Sequence, residues 1–365
     1  MLVLGVISDL LLYLCFSVLI GTLILYFVPK EIRPEIHVSR KVLLISIIGI
    51  VILSFMQPLQ LILAFYKDTG LSNTIHSVLF TFEVGKVWIL TVAYSLIIFI
   101  YLIMFDIKKK ASYSYIGLLI TVGLIFAVCW GSHASSMVGY SGFLAHSFHF
   151  LAVCVWIGIL FVAGWLSTNY NNWEKFLKWF TPIAILCVLT TFVTGLYLMK
   201  LVVGFDEYTN AWKLTYGQAL LLKHIFIIPL LAFAFINSIL IRRRLKNDIT
   251  FNPIPWIKTE SLVVLFIFTA TSVLGNTAPP SDFETIFALE GPSKLFDFFY
   301  PGNITAEMGV FLSFGFNSIS LLLVALFFIS LSILAFIKKA SSFLSFNLSV
   351  VSVLTLYLSL MLSIQ

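Results

Sequence analysis

The sequence predicts an all-α, polytopic membrane helix bundle of about ten transmembrane helices with both termini on the outer side, and three observations predict it. First, 60% of the 365 residues are hydrophobic and only 10% are charged, whereas soluble globular proteins carry roughly 25% charged residues. Second, the apolar residues come in blocks of 18 or more, enough at about 1.5 Å per helical residue to cross an apolar core of about 30 Å. Third, the basic residues collect in alternate connections. Backbone groups in lipid must be satisfied within the segment, so the blocks are helices.

In chain order the spans fall near 2–28, 42–66, 77–104, 113–132, 143–167, 178–203, 217–241, 259–279, 308–337 and 341–363. The first lacks a basic n-region and a small-residue cleavage site, reads as a retained span rather than a signal peptide, and carries Asp9. The second carries Gln57 and Gln60, and the third, opened by His76, carries Glu83 and Lys86. The fourth ends in WGSHASS with His133, and Met137 follows. The fifth bears His146, His149, Trp156 and Gly158, and the seventh bears Lys223 and His224. The eighth stops at Pro279-Pro280, before an acidic stretch with Asp282, Glu284, Glu290, Asp297 and Glu307. Two apolar spans without acidic or basic residues close the chain. The expected organisation is an eight-helix membrane domain, 1–280, an acidic extracytoplasmic loop, 281–307, and a two-helix transmembrane hairpin, 308–365.

Charge sets the orientation. The odd-numbered connections contain Lys30, Arg33, Arg40 and Lys41, then Lys108, Lys109 and Lys110, then Lys175 and Lys178. The seventh adds Arg242, Arg243, Arg244, Lys246 and Lys258, and the ninth Lys338 and Lys339. The alternate connections hold only Lys67, Lys213 and Lys294. By the positive-inside rule the odd connections are cytoplasmic. The net charge of +6 therefore reports topology and argues against a nucleic-acid partner. Four cysteines lie inside apolar blocks without a C-x-x-C pair, which argues against a disulfide framework or zinc ribbon. No G-x-x-x-x-G-K-[ST] loop is present, which argues against direct ATP driving.

With sides assigned, His76, His133, His146, His149 and His224 fall in the outer half, and only His37 is cytoplasmic. Asp9, Gln57, Gln60, Glu83, Lys86 and Lys223 join them. Ionisable groups facing lipid cost at least ~2.5–3.5 kcal/mol, so these are expected to turn inward and line an outward-facing polar chamber. His146 and His149 share a helical face, with Trp156 further along it. One membrane histidine reads best as a packing residue, but several at one depth read as metal ligands. Neutral imidazole suits copper, zinc and iron, and sulfur from Met137 favours Cu(I). Lys86 and Lys223 read as charge partners of Glu83 and Asp9 rather than as cargo ligands. Cys129 reads as a small buried hydrophobe, and Gly158 as a point where another helix comes close.

The ordered set FEVGKVW (82–88), GSHASS (131–136), HFLAVCVWIGIL (149–160), LLKHIFIIPLLAFAFINSILIRRR (221–244) and LVVLFIFTATSVLGNTAPP (262–280) resembles the copper resistance protein D (CopD) family of membrane proteins. The family pattern corresponds here to His133, His149, Trp156, Gly158, Lys223, Asn237 and Arg242. The resemblance implies a copper-handling protein of the cytoplasmic membrane, bacterial in origin, that moves copper ions inward. The chain departs from the pattern in lacking a soluble copper-binding domain and Met-rich loops, so a separate extracytoplasmic donor protein is expected. Its own hairpin, 308–365, is an addition. The expected copper ligands are His133 and His149 with His146 and His224, supported by His76 and Met137. Two alternatives stay open from the residues alone: a redox protein binding b-type haem through histidines of two helices, and an assembly factor delivering copper to an oxidase.

Overall fold

The computed structural model describes residues 1–248, 250–300, 302 and 304–365. It is 80% helical, and ten helices are long and apolar enough to cross a membrane. We label them α1 (Leu2–Phe27), α2 (Arg40–Thr69), α3 (Glu83–Met104), α4 (Ala111–Trp130) and α5 (Tyr140–Trp165). The remainder are α6 (Trp173–Val202), α7 (Thr215–Asn247), α8 (Ile254–Gly275), α9 (Phe316–Ile337) and α10 (Ser342–Met361). The chain divides into two compact units, Met1–Leu201 and Val202–Gln365. This division differs from the one expected at residue 280: α7 and α8 share a unit with the outer loop and the hairpin.

In the first unit α1 is central. Leu12, Phe16, Leu19, Ile20 and Leu23 are buried along one stripe at helical spacing. On the facing side α1 meets α5 backbone to backbone. A Cβ built on Gly21 would stand 2.0 Å from the Gly158 carbonyl oxygen, and one on Gly158 would stand 2.5 Å from that of Ser17. Only glycine at both positions permits this approach. The close contact expected at Gly158 is therefore made with α1.

Two odd-numbered connections of this unit join one another. Ile36 bridges Ser167, the His37 amide donates to the Leu166 carbonyl at 2.9 Å, and the Trp179 indole donates to the Ile32 carbonyl at 2.9 Å. The first and fifth connections therefore lie on one side, as the basic-residue bias requires. α6 is the least enclosed span, with 6% of its apolar window buried against 61% for α5.

The third helix starts later than expected. Residues 71–76 form a short helix, Ser77–Thr81 a π-helical turn, and Phe82 is extended before Glu83 opens α3. Glu83 and Lys86 consequently occupy the first turn of α3 and are exposed, as is His76, whose ring packs on Phe80 at 5.3 Å. The expectation that all three turn into a chamber is corrected. At a helix start the interface solvates them, so no inward turn is needed.

In the second unit α7 and α8 pack together, and α10 lies against both. α9 and α10 are held by hydroxyls: Ser332 and Ser345 bond reciprocally, Ser352 donates to Ala325, and Ser359 donates to Ser318. The ninth helix begins at Phe316 rather than 308. Leu312 instead forms an isolated bridge with Ile364, and Phe311 exchanges two backbone bonds with Gln365. The acidic stretch is partly helical, over Phe283–Glu290 and Lys294–Phe299. Its anchor is Lys213, 1% exposed, whose ammonium donates to the carbonyls of Ala306 and Met308 and sits 4.7 Å from the Phe283 ring.

Candidate metal centre

After α4 ends at Trp130, Ser132 caps a six-residue helix, His133–Val138, by accepting from the Ser135 amide. His133 and Met137 are four residues apart and therefore share its face. Both are exposed. This short helix turns back at Gly139, whose φ of 63° favours glycine, and packs on the first turn of α5. A Cβ at Gly142 would stand 2.0 Å from the Ala134 carbonyl oxygen, so the seam is closed. His133 and Met137 thus sit at the same outer end as the start of α5.

His146 and His149 follow on α5, both half-buried. His149 points to α6: its Nδ1 lies 3.1 Å from the Thr194 hydroxyl, and a Cβ on Gly195 would come within 3.3 Å of its Cε1. The Thr194 hydroxyl has one proton and donates it to the Thr190 carbonyl at 2.6 Å. The same hydroxyl therefore ties the His149 ring to the Thr190 turn of α6 and sets its orientation.

Supporting residues lie deeper. Trp156 is buried, and the Cys187 thiol of α6 meets its backbone. Asp9 is 7% exposed on α1, near Tyr13, whose ring packs on Phe150 at 5.7 Å. No ion pair joins Glu83 to Lys86 among the described residues, contrary to the expected pairing.

In the second unit, His224 and Lys223 are half-buried on α7. His224 Nδ1 lies 2.8 Å from the Tyr208 hydroxyl. Burial pushes Tyr208 up to about 12 from 10.0, so the phenol stays neutral at ordinary pH. His224 is thus tied to the segment that carries Tyr208, as His149 is to Thr194.

Among the described residues, no three His, Cys, Asp or Glu side chains stand together as a group that could hold a metal. The histidines present pairs and single ligands rather than a finished cage. Sequence reasoning missed Thr194, although the run TTFVTG in α6 is unusually polar for a span. It also missed Glu260, a carboxylate buried in α8.

Residues 174–274 match the family model for copper resistance protein D. The chain is similar to that family over this segment alone, a little over a quarter of its length. The matched segment runs from α6 through α8 and contains Thr194, Lys223, His224, Asn237, Arg242 and Glu260. His133, Met137, His146 and His149 precede it. No curated protein and no solved structure matches the chain.

Proposed function

We propose that this protein, similar to copper resistance protein D over residues 174–274, takes copper ions, as Cu(I), from the outer side of a bacterial cytoplasmic membrane and passes them inward. His149 is the first ligand, joined by His146 one helical turn away, and His133 with Met137 on the short helix above receive the ion. The observation that supports this reading is that His149, one turn from His146 on α5, is held in orientation by the Thr194 hydroxyl of α6 in the same unit that contains His133 and Met137. Imidazole and thioether are neutral, which suits soft, monovalent copper. A low ligand count also suits cargo, since an ion held by a full cage does not leave. His76 and His224 serve as packing or positioning residues in this scheme. The ion is handed over by a separate extracytoplasmic copper-binding protein.

The test is anaerobic Cu(I) titration of the purified full-length protein against a chromophoric chelator, with His149→Ala and the His133→Ala/Met137→Ala double variant. Both should lose at least tenfold in affinity. Wild-type affinity in both variants would overturn the assignment. Whole-cell copper content reads the direction: expression of the wild type should raise it, and His149→Ala should not.

A further inference from the structure

The second unit buries a carboxylate that the copper reading does not use. Glu260 lies on α8, two turns or about 9 Å from the helix start on the cytoplasmic side, and is 1% exposed. Among the described residues its one side-chain hydrogen-bond partner is Asn237, whose Nδ2 donates to Glu260 Oε2 at 2.5 Å and also faces the Trp256 carbonyl at 3.3 Å. Asn237 is 3% exposed and falls in the π-helical turn Ile236–Leu240 of α7. Such turns recur at functional sites because the extra residue redirects a side chain.

The hydrogen-bond inventory of this pair does not close if Glu260 is ionised. A buried carboxylate needs a cation or several donors, and it has one amide. Asn237 Oδ1, meanwhile, is buried without any donor. Charged groups are near in sequence, but none pairs with it. Arg244 is stacked over Phe251 at 3.9 Å and Phe336 at 5.6 Å. Arg242 and Arg243 follow Asn237 by more than one turn toward the cytoplasmic end. Lys258 sits two residues away, so it projects from a different face of α8. Lys338 and Lys339 lie in the turn between α9 and α10, where Lys339 acts with Arg244 on Asp248. The spans of α9 and α10 bring no acidic or basic side chain.

One proton closes both accounts. We infer that Glu260 and Asn237 form a proton-binding site within the membrane: Glu260 is held as a neutral carboxylic acid that donates to Asn237 Oδ1 while Asn237 Nδ2 donates back to Glu260 Oε2. The two side chains then complete a ring of two hydrogen bonds. Among the described residues no group of His, Cys, Asp or Glu forms here that could hold a metal ion, so the ligand is a proton. Releasing it leaves an uncompensated buried charge, so the site empties only when an opening of α7 from α8 admits water or a cation. This inference is independent of the copper ligands.

The experiment is infrared difference spectroscopy on the full-length protein in lipid vesicles, without copper and with its glutamates carboxyl-labelled with carbon-13 to separate them from Asp9. At neutral pH the wild type should show a labelled carboxylic acid C=O band that moves down in heavy water. Glu260→Gln, which keeps an amide able to pair with Asn237, should lose that band, and Asn237→Leu should move it to higher wavenumber. If Glu260→Gln fails to accumulate, the wild type and Asn237→Leu still decide. A wild-type spectrum without the acid band at neutral pH, or a band unmoved in Asn237→Leu, overturns the proposal.

Discussion

Replacing Gly21 by alanine tests whether the α1–α5 contact holds the first unit together. The new Cβ would meet the Gly158 oxygen at 2.0 Å, its carbonyl carbon at 2.2 Å and its Cα at 2.9 Å. Ordinary carbon contacts begin near 3.5 Å, so the two helices must part by more than 1 Å. A gap of 0.5–1 Å already forfeits about a quarter to a half of a contact's attraction. Because the obstacle is backbone on a central helix, no rotamer change relieves it. We expect a loss at or above the upper end of the overpacking range, about 3 kcal/mol. Gly315→Ala is the control, since nothing lies within 4 Å of that Cβ. The assay is thermal stability of the detergent-purified protein, read as the temperature at which the monodisperse fraction halves. Gly21→Ala should fall far below wild type and Gly315→Ala should match it. Equal midpoints for the two variants would refute the argument that backbone contact, rather than side-chain packing, joins α1 to α5.

Thr194→Val removes the hydroxyl that orients the His149 ring through Nδ1. Since a partner of this kind is worth roughly 10–100-fold in metal affinity, Cu(I) binding should weaken within that range while Thr194→Ser keeps it. Lys213→Met deletes a buried ammonium that donates to two outer-loop carbonyls. At about 1.5–3 kcal/mol per charged bond, the loop around residues 305–308 should become the first site of limited proteolysis. Tyr208, raised from 10.0 to about 12 by burial, makes the outer segment sensitive to alkali. The unfolded segment releases the phenolic proton first, so stability holds below pH 10 and falls as pH climbs toward 12. Tyr208→Phe should lose that part of the pH dependence in a thermal scan and, at neutral pH, about 1 kcal/mol for the bond to His224.

The ten spans were legible because lipid demands long apolar runs whatever the tertiary packing. Their sidedness remains an expectation from the distribution of Lys and Arg. Breaks within spans were not: the extended Phe82 and the π turns at 77–81 and 236–240 leave no glycine or proline signature. At the candidate centre the sequence pointed to His133, His146, His149 and Met137 as a group, but the hydrogen bonds that orient His149 and His224 come from Thr194 and Tyr208, distant in sequence. Glu260 fell only one residue inside the expected eighth span, 259–279, where a carboxylate reads as a helix-end residue rather than a buried one. Pro253, just ahead of the helix start at Ile254, was the available signal that α8 begins earlier.

The serine contacts between α9 and α10 imply that this pair responds to its solvent differently from the rest of the protein. Side-chain hydroxyls compete poorly with water but well with hydrocarbon, where nothing else can satisfy them. Short-chain detergents that let water reach the serines should loosen this hairpin before the glycine-packed first unit. Preparations for functional work are therefore better judged in bilayers than in micelles.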